Sequence, residues 1–552
     1  MRDWRINLIL VFIFLLGATI IGRLVFLQII HHDFYAALAT GQQRFFINSQ
    51  GDRGEIFFQS HDLPVATNQT YAFLYASPNE ISAEKKQETI EILSEVLNLS
   101  QDFIRSKIEQ DSLYEVVKRK LTEEEVEHLK KEDLAGVYFG KEKIRTYPYQ
   151  TFASHLLGFV NQEGRGQYGI EGYWDEVLTG KEEFLEGEKG PFGYLFSRKE
   201  NLDNQGADLV LTIDYNIQYQ AERLLEKAKK NLNIEGGTIL VMEPYSGKIF
   251  VLAEFPNFDP NRYSEESDFN IFQINAIQKV FEPGSVFKPI TMAAALQEGA
   301  ITPQTTYRDP GVVNIGGWPI YNYDGRVYPG KISMTEVLEK SINTGAVFAE
   351  SQLGHENFVK YIERFGIFDK TGIDLEGETL PQNKEFKQGR EINFTTASFG
   401  QGIEMTPLQI ARAFSAIANG GKLVKPYLVE IQPEISDNNI ISSEVATKLT
   451  AMLVSVVENG FGKAARIPGY YIAGKTGTAQ MSFSALDIKK QGYSDKTWQS
   501  FIGFAPAFDP KFLILVKLDN PATKTAEYSA VPIFKELAKY IIDYWQIPPD
   551  YE

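Results

Sequence analysis

Ile6 to Gly22 is an apolar run broken by Asn7, and after Arg23 it resumes as Leu24-Val25-Phe26-Leu27 up to Ile30. A bilayer takes about 20 such residues, so the pattern predicts an uncleaved membrane anchor over 6–30. A cleaved signal peptide has a shorter apolar region, about 7–15 residues, followed closely by a small-residue site. The candidate site Ala37-Leu38-Ala39 lies well past the run, beyond His31-His32-Asp33. Arg2 and Arg5 precede the run and Arg23 can snorkel, so residues 1–5 are expected in the cytoplasm and the bulk outside.

From 31 to 205 the pattern is mixed. Strand-like pieces (Ala72-Phe73-Leu74-Tyr75, Tyr114 to Val117) alternate with charged helices such as Glu84 to Leu97, and Thr122 with Glu125 forms a capping-box signature. The clusters Gly51-Asp52-Arg53-Gly54, Arg145-Thr146-Tyr147-Pro148 and Gly169-Ile170-Glu171-Gly172 read as turns with buried ion pairs. This region is expected to be scaffold rather than catalyst.

At Gly206 the texture changes, and a second domain is expected over 206–546. Ala207 to Asp214 reads as a strand and Asn216 to Lys230 as an amphipathic helix. Gly237 to Pro244 and Lys248 to Ala253 flank Tyr245-Ser246-Gly247 as a hairpin. Ser285 to Glu298 reads as one helix closed by Gly299, with Pro289 tolerable only in its first turn. Thr335 to Lys340 and Met405 to Ala418 read as helices, Phe501 to Phe504 and Phe512 to Leu518 as strands, and Val531 to Tyr544 as a closing helix. Strands before and after a helix-rich middle predict an α+β domain on one antiparallel sheet. Residues 547–552 read as a frayed tail.

Composition narrows the chemistry. The 552 residues are 43% hydrophobic, enough for two or three folded units, and the net charge of −17 argues against nucleic acid. Without cysteine there is no thiolate nucleophile, disulfide or zinc–thiolate site. Six histidines leave a Ser-His-Asp triad only His355 or His155 to recruit, and neither a metal nor a cofactor is expected.

In Phe281-Glu282-Pro283-Gly284-Ser285-Val286-Phe287-Lys288, a hydroxyl at a helix N-terminus stands three residues from an amine on the same face. A desolvated, neutral lysine can activate such a serine. Ser-x-x-Lys alone is a weak signal, since Ser82 and Lys85 repeat it in a charged helix. Ser341-Ile342-Asn343 is weak too, echoed at Ser77 and Asn79, and Lys475-Thr476-Gly477 is echoed at Lys370-Thr371-Gly372, which reads as a connection. Thr395 to Gly402 is glycine-punctuated and suits packing near a site. Tyr470 to Ala479 reads as a strand whose glycines, Gly474 and Gly477, admit close approach of a backbone or ligand.

Ser285/Lys288, Ser341/Asn343 and Lys475/Thr476/Gly477, in that order in one domain, are far harder to meet by chance. The chain resembles the penicillin-binding proteins, and among them the class B, monofunctional transpeptidases. The likeness extends over nearly the whole chain, from the anchor through the Arg53-Gly54, Arg145 to Pro148 and Gly169 to Gly172 clusters. It implies a penicillin-binding/serine β-lactamase-like transpeptidase domain, an elongated N-terminal pedestal or dimerisation-like domain over 31–205, and one transmembrane helix.

By that resemblance Ser285 attacks the penultimate D-alanyl carbonyl of a peptidoglycan stem peptide, releases D-alanine, and passes the acyl group to an amine of a neighbouring stem. The product is a 4→3 cross-link, and β-lactams acylate the same serine. Lys288 is the implied base, Ser341 the proton shuttle and Asn343 the holder of the substrate backbone. Lys475, with Thr476, Gly477 and Thr478, is expected on the substrate carboxylate side. The implied oxyanion hole is the backbone N–H of Ser285 and of Thr478.

Where family members often carry an arginine after the asparagine upstream of the nucleophile, this chain has Asn275-Ala276-Ile277. The first 205 residues show no acidic, histidine-bearing glycosyltransferase pattern, so the resemblance implies a polytopic membrane glycosyltransferase as partner. The stretch Thr497 to Pro506 and the modest insert before it look more like the division-type branch than the elongation-type. The competing readings are a penicillin hydrolase, a penicillin sensor and a non-catalytic cell-wall scaffold.

Overall fold

The computed structural model describes residues 3–25, 44–59, 64–180, 182–190, 193–196, 205–430 and 439–552. It divides into two compact units, Met1–Gly54 with Thr179–Ala207, and Glu55–Leu178 with Asp208–Glu552. The first holds a helix, Asp3–Val25, and an antiparallel sheet in the order Arg44–Gln50, Glu182–Gly190, Gly193–Phe196. In it Arg53 Nη1 donates to Thr179 Oγ1 at 2.8 Å. The expected anchor over 6–30 lies partly outside the described residues, as does Ala37-Leu38-Ala39. Among the described residues no helix is long and apolar enough to cross a membrane.

In the second unit, the strand Pro64–Ala76 pairs antiparallel with Ile56–Phe57, Glu115–Leu121 and Val137–Thr146. Leu74, Ile90, Leu93, Ile104, Ile108 and Leu129 form a small core of their own beneath the charged helices Lys86–Leu97, Gln101–Ile108 and Glu123–Glu132. The capping box forms as expected, with Thr122 Oγ1 accepting from the Glu125 N–H and Glu125 from the Thr122 N–H. Ile56, Phe58, Leu156 and Leu178, by contrast, share one core with Leu240, Phe272 and Ile277. Much of the stretch expected as a separate domain therefore packs as one body with residues beyond 208. Arg145 Nε and Glu171 Oε1 meet at 2.6 Å with side chains 4% and 0% exposed, the ion pair expected of those clusters.

The main sheet comprises β1 (Gly236–Met242), β2 (Ile249–Phe255), β3 (Ala473–Ser482), β4 (Tyr493–Ala505) and β5 (Phe512–Asp519). It is antiparallel throughout in the order β2-β1-β5-β4-β3, which makes β3 an edge strand. Every residue of β1 is buried because both faces are covered. Ile239 and Val241 pack with α1 (Tyr215–Leu232) and the closing helix Ala530–Tyr544, while Leu240 and Met242 join the core on the opposite face. Strand periodicity alone puts neighbouring residues into different cores.

Two expectations change. Only Leu209–Val210 of the strand expected over Ala207 to Asp214 forms, pairing parallel with Ile56–Phe57. The Asp214 carboxylate instead accepts the N–H groups of Asn216 and Ile217 and caps α1, which ends the extended stretch. The tail expected over 547–552 is docked rather than frayed. Ile547 is buried, its carbonyl accepts the Tyr470 hydroxyl at 2.6 Å, and Asp550 Oδ2 accepts the Tyr471 N–H at 2.8 Å.

Candidate active site

Gly284–Phe287 is a 3₁₀ turn that runs into α2 (Lys288–Gln297), so the single helix expected from Ser285 to Glu298 is built in two parts. With three residues per turn, positions i and i+3 eclipse, and this aligns Ser285 with Lys288. Gly284 has φ +59° and donates its N–H to Gly400 O at 2.9 Å. At Gly400, φ +81°, a Cβ would run into the Gly284 backbone, which is why the Thr395 to Gly402 stretch needs glycine there. Phe281 and Met405 exchange two backbone hydrogen bonds, bracing the turn from behind.

Lys288 is fully buried. Its amine is turned onto the carbonyl of Ser341 at 2.6 Å, Asn343 Oδ1 at 2.8 Å and Ser341 Oγ at 3.3 Å. Among the described residues no hydrogen bond joins it to the Ser285 hydroxyl, the partner expected from the sequence. Burial first, and then the charge of Lys475, hold its pKa well below the ordinary lysine value.

Ser341 lies between α3 (Met334–Glu339) and α4 (Asn343–Leu353), with φ +52°. That left-handed geometry costs a non-glycine residue about 1–2 kcal/mol, and it accompanies the placement of both Ser341 oxygens within reach of Lys288. Asn343 is oriented from its other end, donating Nδ2 to Tyr321 O at 3.0 Å.

The strand period sets Lys475 on the β3 face that carries Ala473, Ala479 and Met481, toward the core containing α2. Its amine donates to Ser341 Oγ at 2.9 Å and to Thr476 O at 3.0 Å, with Thr476 Oγ1 at 3.4 Å. Burial lowers its pKa to about 7. Among the described residues neither lysine has a carboxylate partner.

A Cβ on Gly477 would lie 2.5 Å from Ser500 Oγ, 2.9 Å from Val286 Cγ1 and 3.0 Å from Pro283 O, so glycine sets how closely β3 approaches the nucleophile turn. A Cβ on Gly284 would lie 3.0 Å from Ala479 Cβ and 3.4 Å from the Thr478 carbonyl oxygen, so the turn sits against β3.

The structure thus gathers Lys288, Ser341, Asn343, Lys475 and Thr476 by direct contact, with Ser285, Gly477 and Thr478 lining the same edge. The echoes fall elsewhere. Ser82 and Lys85 are exposed, Ser77 precedes a short 3₁₀ turn, and Lys370 to Gly372 lies in a loop. His155 is buried on Ile271 O at 2.9 Å, its pKa lowered by burial to about 4. His355 Nδ1 sits 2.5 Å from Glu350 Oε1, and among the described residues no hydrogen bond joins either histidine to Ser285.

Sequence reading missed the brace behind Asn343. Thr344 Oγ1 donates to Asp309 Oδ1 at 2.8 Å and the Thr344 N–H to Asn322 Oδ1 at 3.1 Å, while Asp309 also accepts from Asn322 Nδ2 and the Tyr328 N–H. The only signal was the turn at Asp309-Pro310-Gly311. Among the described residues no group of three metal-ligating side chains occurs.

The penicillin binding protein transpeptidase domain family matches residues 237–539, and the penicillin-binding protein dimerisation domain family matches 48–211. The chain belongs to the class B penicillin-binding protein transpeptidase family. It is similar to Stage V sporulation protein D of Bacillus subtilis, 32% identical over 544 residues that cover 93% of this chain and 81% of that protein. It is also similar to the probable peptidoglycan D,D-transpeptidase PbpC of Pseudomonas aeruginosa, 29% identical over 560 residues covering 100% and 96%. Penicillin binding protein 3 of Mycobacterium tuberculosis, solved with aztreonam, shares the penicillin-binding protein fold, with a TM-score of 0.69 at 24% identity over 91% of this chain and 98% of that one.

Proposed function

We propose that this chain is a peptidoglycan D,D-transpeptidase that works through an acyl-enzyme on Ser285 and is acylated there by β-lactams. The observation that carries this reading is the convergence of two buried amines, Lys288 and Lys475, on the one hydroxyl of Ser341, beside the turn that presents Ser285.

Neutral Lys288 takes the Ser285 proton as the hydroxyl attacks the penultimate D-alanyl carbonyl. The N–H groups of Ser285 and Thr478 stabilise the oxyanion. Ser341, bonded to both amines, passes a proton to the leaving D-alanine amine, and the acceptor amine of a second stem then takes the acyl group. Lys475 and Thr476 hold the substrate carboxylate, and Asn343 its backbone.

The reading extends to a division-type role, supported by Thr497 to Pro506, with elongation the alternative. It also places residues 6–30 in the cytoplasmic membrane with the catalytic domain outside, supported by the apolar run after Arg2 and Arg5, and assigns glycan polymerisation to a polytopic membrane glycosyltransferase partner. Intact mass spectrometry of the protein after penicillin treatment tests the core of it. A stable adduct on Ser285, absent in Ser285→Ala, is expected. Rapid turnover without adduct would indicate a hydrolase, and no reaction a scaffold.

A further inference from the structure

Glu282, three residues before Ser285, is a buried carboxylate that the chemistry above does not use. The Tyr493 hydroxyl donates to it, 2.9 Å from Oε2 and 3.2 Å from Oε1, and the Gly402 N–H also points at it. Three segments therefore meet on one side chain: the nucleophile turn, the 400–405 loop behind it, and the first residue of β4. Tyr493 pairs with Ser482, the last residue of β3, four positions beyond Thr478. The bond thus closes a loop from the nucleophile, across the edge of the sheet, back to the strand expected to supply the other half of the oxyanion hole.

A purely structural position would not favour a carboxylate here. Burial, and then the neighbouring charge of Glu404, raise the Glu282 pKa to about 7 against the bonds from Tyr493 and Gly402, and Glu404 is itself raised by burial. A buried acid beside a half-buried one opposes folding, and a leucine or methionine at 282 would fill the space without that cost. The position also flanks the site on both sides. On the near side the turn is already fixed to its loop by Gly284 N–H on Gly400 O and by the Phe281–Met405 pair. On the far side β4 is in register with β5 only from Trp498 onward, so Tyr493, paired with Ser482, stands at the end of the β3–β4 hairpin that β5 does not reach.

We propose that Glu282 and Tyr493 are positioning residues: their bond holds the far end of the β3–β4 hairpin against the nucleophile turn and fixes the distance between the Ser285 and Thr478 N–H groups. This rests on the transpeptidase reading above. A loosened bond should spare ground-state binding, which depends on Lys475, Thr476 and Asn343, and slow the step in which the oxyanion forms.

The test is stopped-flow acylation of the full chain by a chromogenic cephalosporin, resolved into the binding constant K and the acylation rate k2, with intact mass counting competent sites. Wild type must first show the Ser285 adduct, since its absence defeats the transpeptidase reading and not the tie alone. Tyr493→Phe and Glu282→Ala should each lower k2 by about tenfold with K within twofold, because small misplacements of catalytic groups are costly in rate. The double variant should be no slower than either single. Glu282→Gln, whose amide oxygen still accepts the phenol proton, should keep k2 within about threefold of wild type. The proposal is overturned if both single variants keep wild-type k2, if the loss falls on K, if the two losses multiply, or if glutamine fails as badly as alanine. Tyr493→Phe keeps the ring and its packing, so it remains informative if Glu282→Ala does not fold.

Discussion

Lys288 and Lys475 hold the same hydroxyl: their nitrogens lie 3.3 and 2.9 Å from Ser341 Oγ, and both side chains are fully buried. Two ammonium groups so close in a poorly solvated site are not both cheap, so at neutral pH one is held without its extra proton. Ser341 can then accept from one amine while it donates to the other or to a leaving group.

The acylation rate of Ser285 should accordingly fall as pH drops through the depressed pKa of Lys288, because the neutral amine is the active form. Lys288→Ala should lose at least about a hundredfold. Lys475→Ala removes a like charge, raises the Lys288 pKa, and should move the acid limb of a stopped-flow pH profile to higher pH. Near-normal acylation by Lys288→Ala would end the lysine-base mechanism.

Carboxylate binding should be coupled to proton uptake. With its pKa lowered by burial to about 7, Lys475 is partly neutral at pH 7.5, and an incoming carboxylate favours its charged form. Calorimetry on Ser285→Ala with a penicillin, repeated in buffers of different ionisation enthalpy, should show net uptake above pH 7 that declines as pH falls below 7. No buffer dependence would mean that Lys475 is already charged when free.

Gly477→Ala should push β3 away from the nucleophile turn, because Ser500, Val286 and Pro283 leave no room for a Cβ. Loss of acylation by about tenfold or more is expected, with little change in melting temperature, since β3 is a sheet edge. Wild-type acylation rates would show that the edge has slack.

Outside the site, Arg145→Met should take from the buried Glu171 carboxylate its ion-pair partner, leaving the Tyr147 hydroxyl, and cost about 3 kcal/mol in denaturant unfolding. Adding Glu171→Leu should recover much of the loss. A double variant as unstable as the single would mean that packing, rather than charge, dominates there.

The purified protein given lipid-linked disaccharide pentapeptide should form no glycan alone. Polymer on gels without a partner, and absent from a contaminant control, would overturn the division of labour inferred for the first 205 residues.

The legible parts of the chain were those whose signals are local. Hydrophobic period placed β1, β2 and the closing helix within a residue or two, and Thr122 with Glu125 declared its cap. Ser285, Lys288, Ser341, Asn343 and Lys475 could be singled out because each motif is short, although only their joint order made them specific. What escaped depends on contacts between segments distant in sequence. Asp309 and Asn322 become a brace only when Thr344 meets them, and Glu282 looks idle until Tyr493, 211 residues later, comes beside it. The direction of the Lys288 amine was missed for a related reason. Helical spacing puts it over Ser285, but the left-handed Ser341 offers it a carbonyl that no local pattern announces.

Edge strands usually invite unwanted pairing, and apart from the buried Lys475 β3 ends its sheet without the charges or proline that commonly blunt such an edge. An extended peptide laid along β3 would become a sixth strand, read through main chain rather than side chain. Strand geometry would then turn alternate residues of that peptide toward the enzyme and the rest toward water. Chemical changes at the water-facing positions of the donor peptide should pass almost unnoticed, whereas inverting one stereocentre on the chain that pairs with β3 should abolish its use.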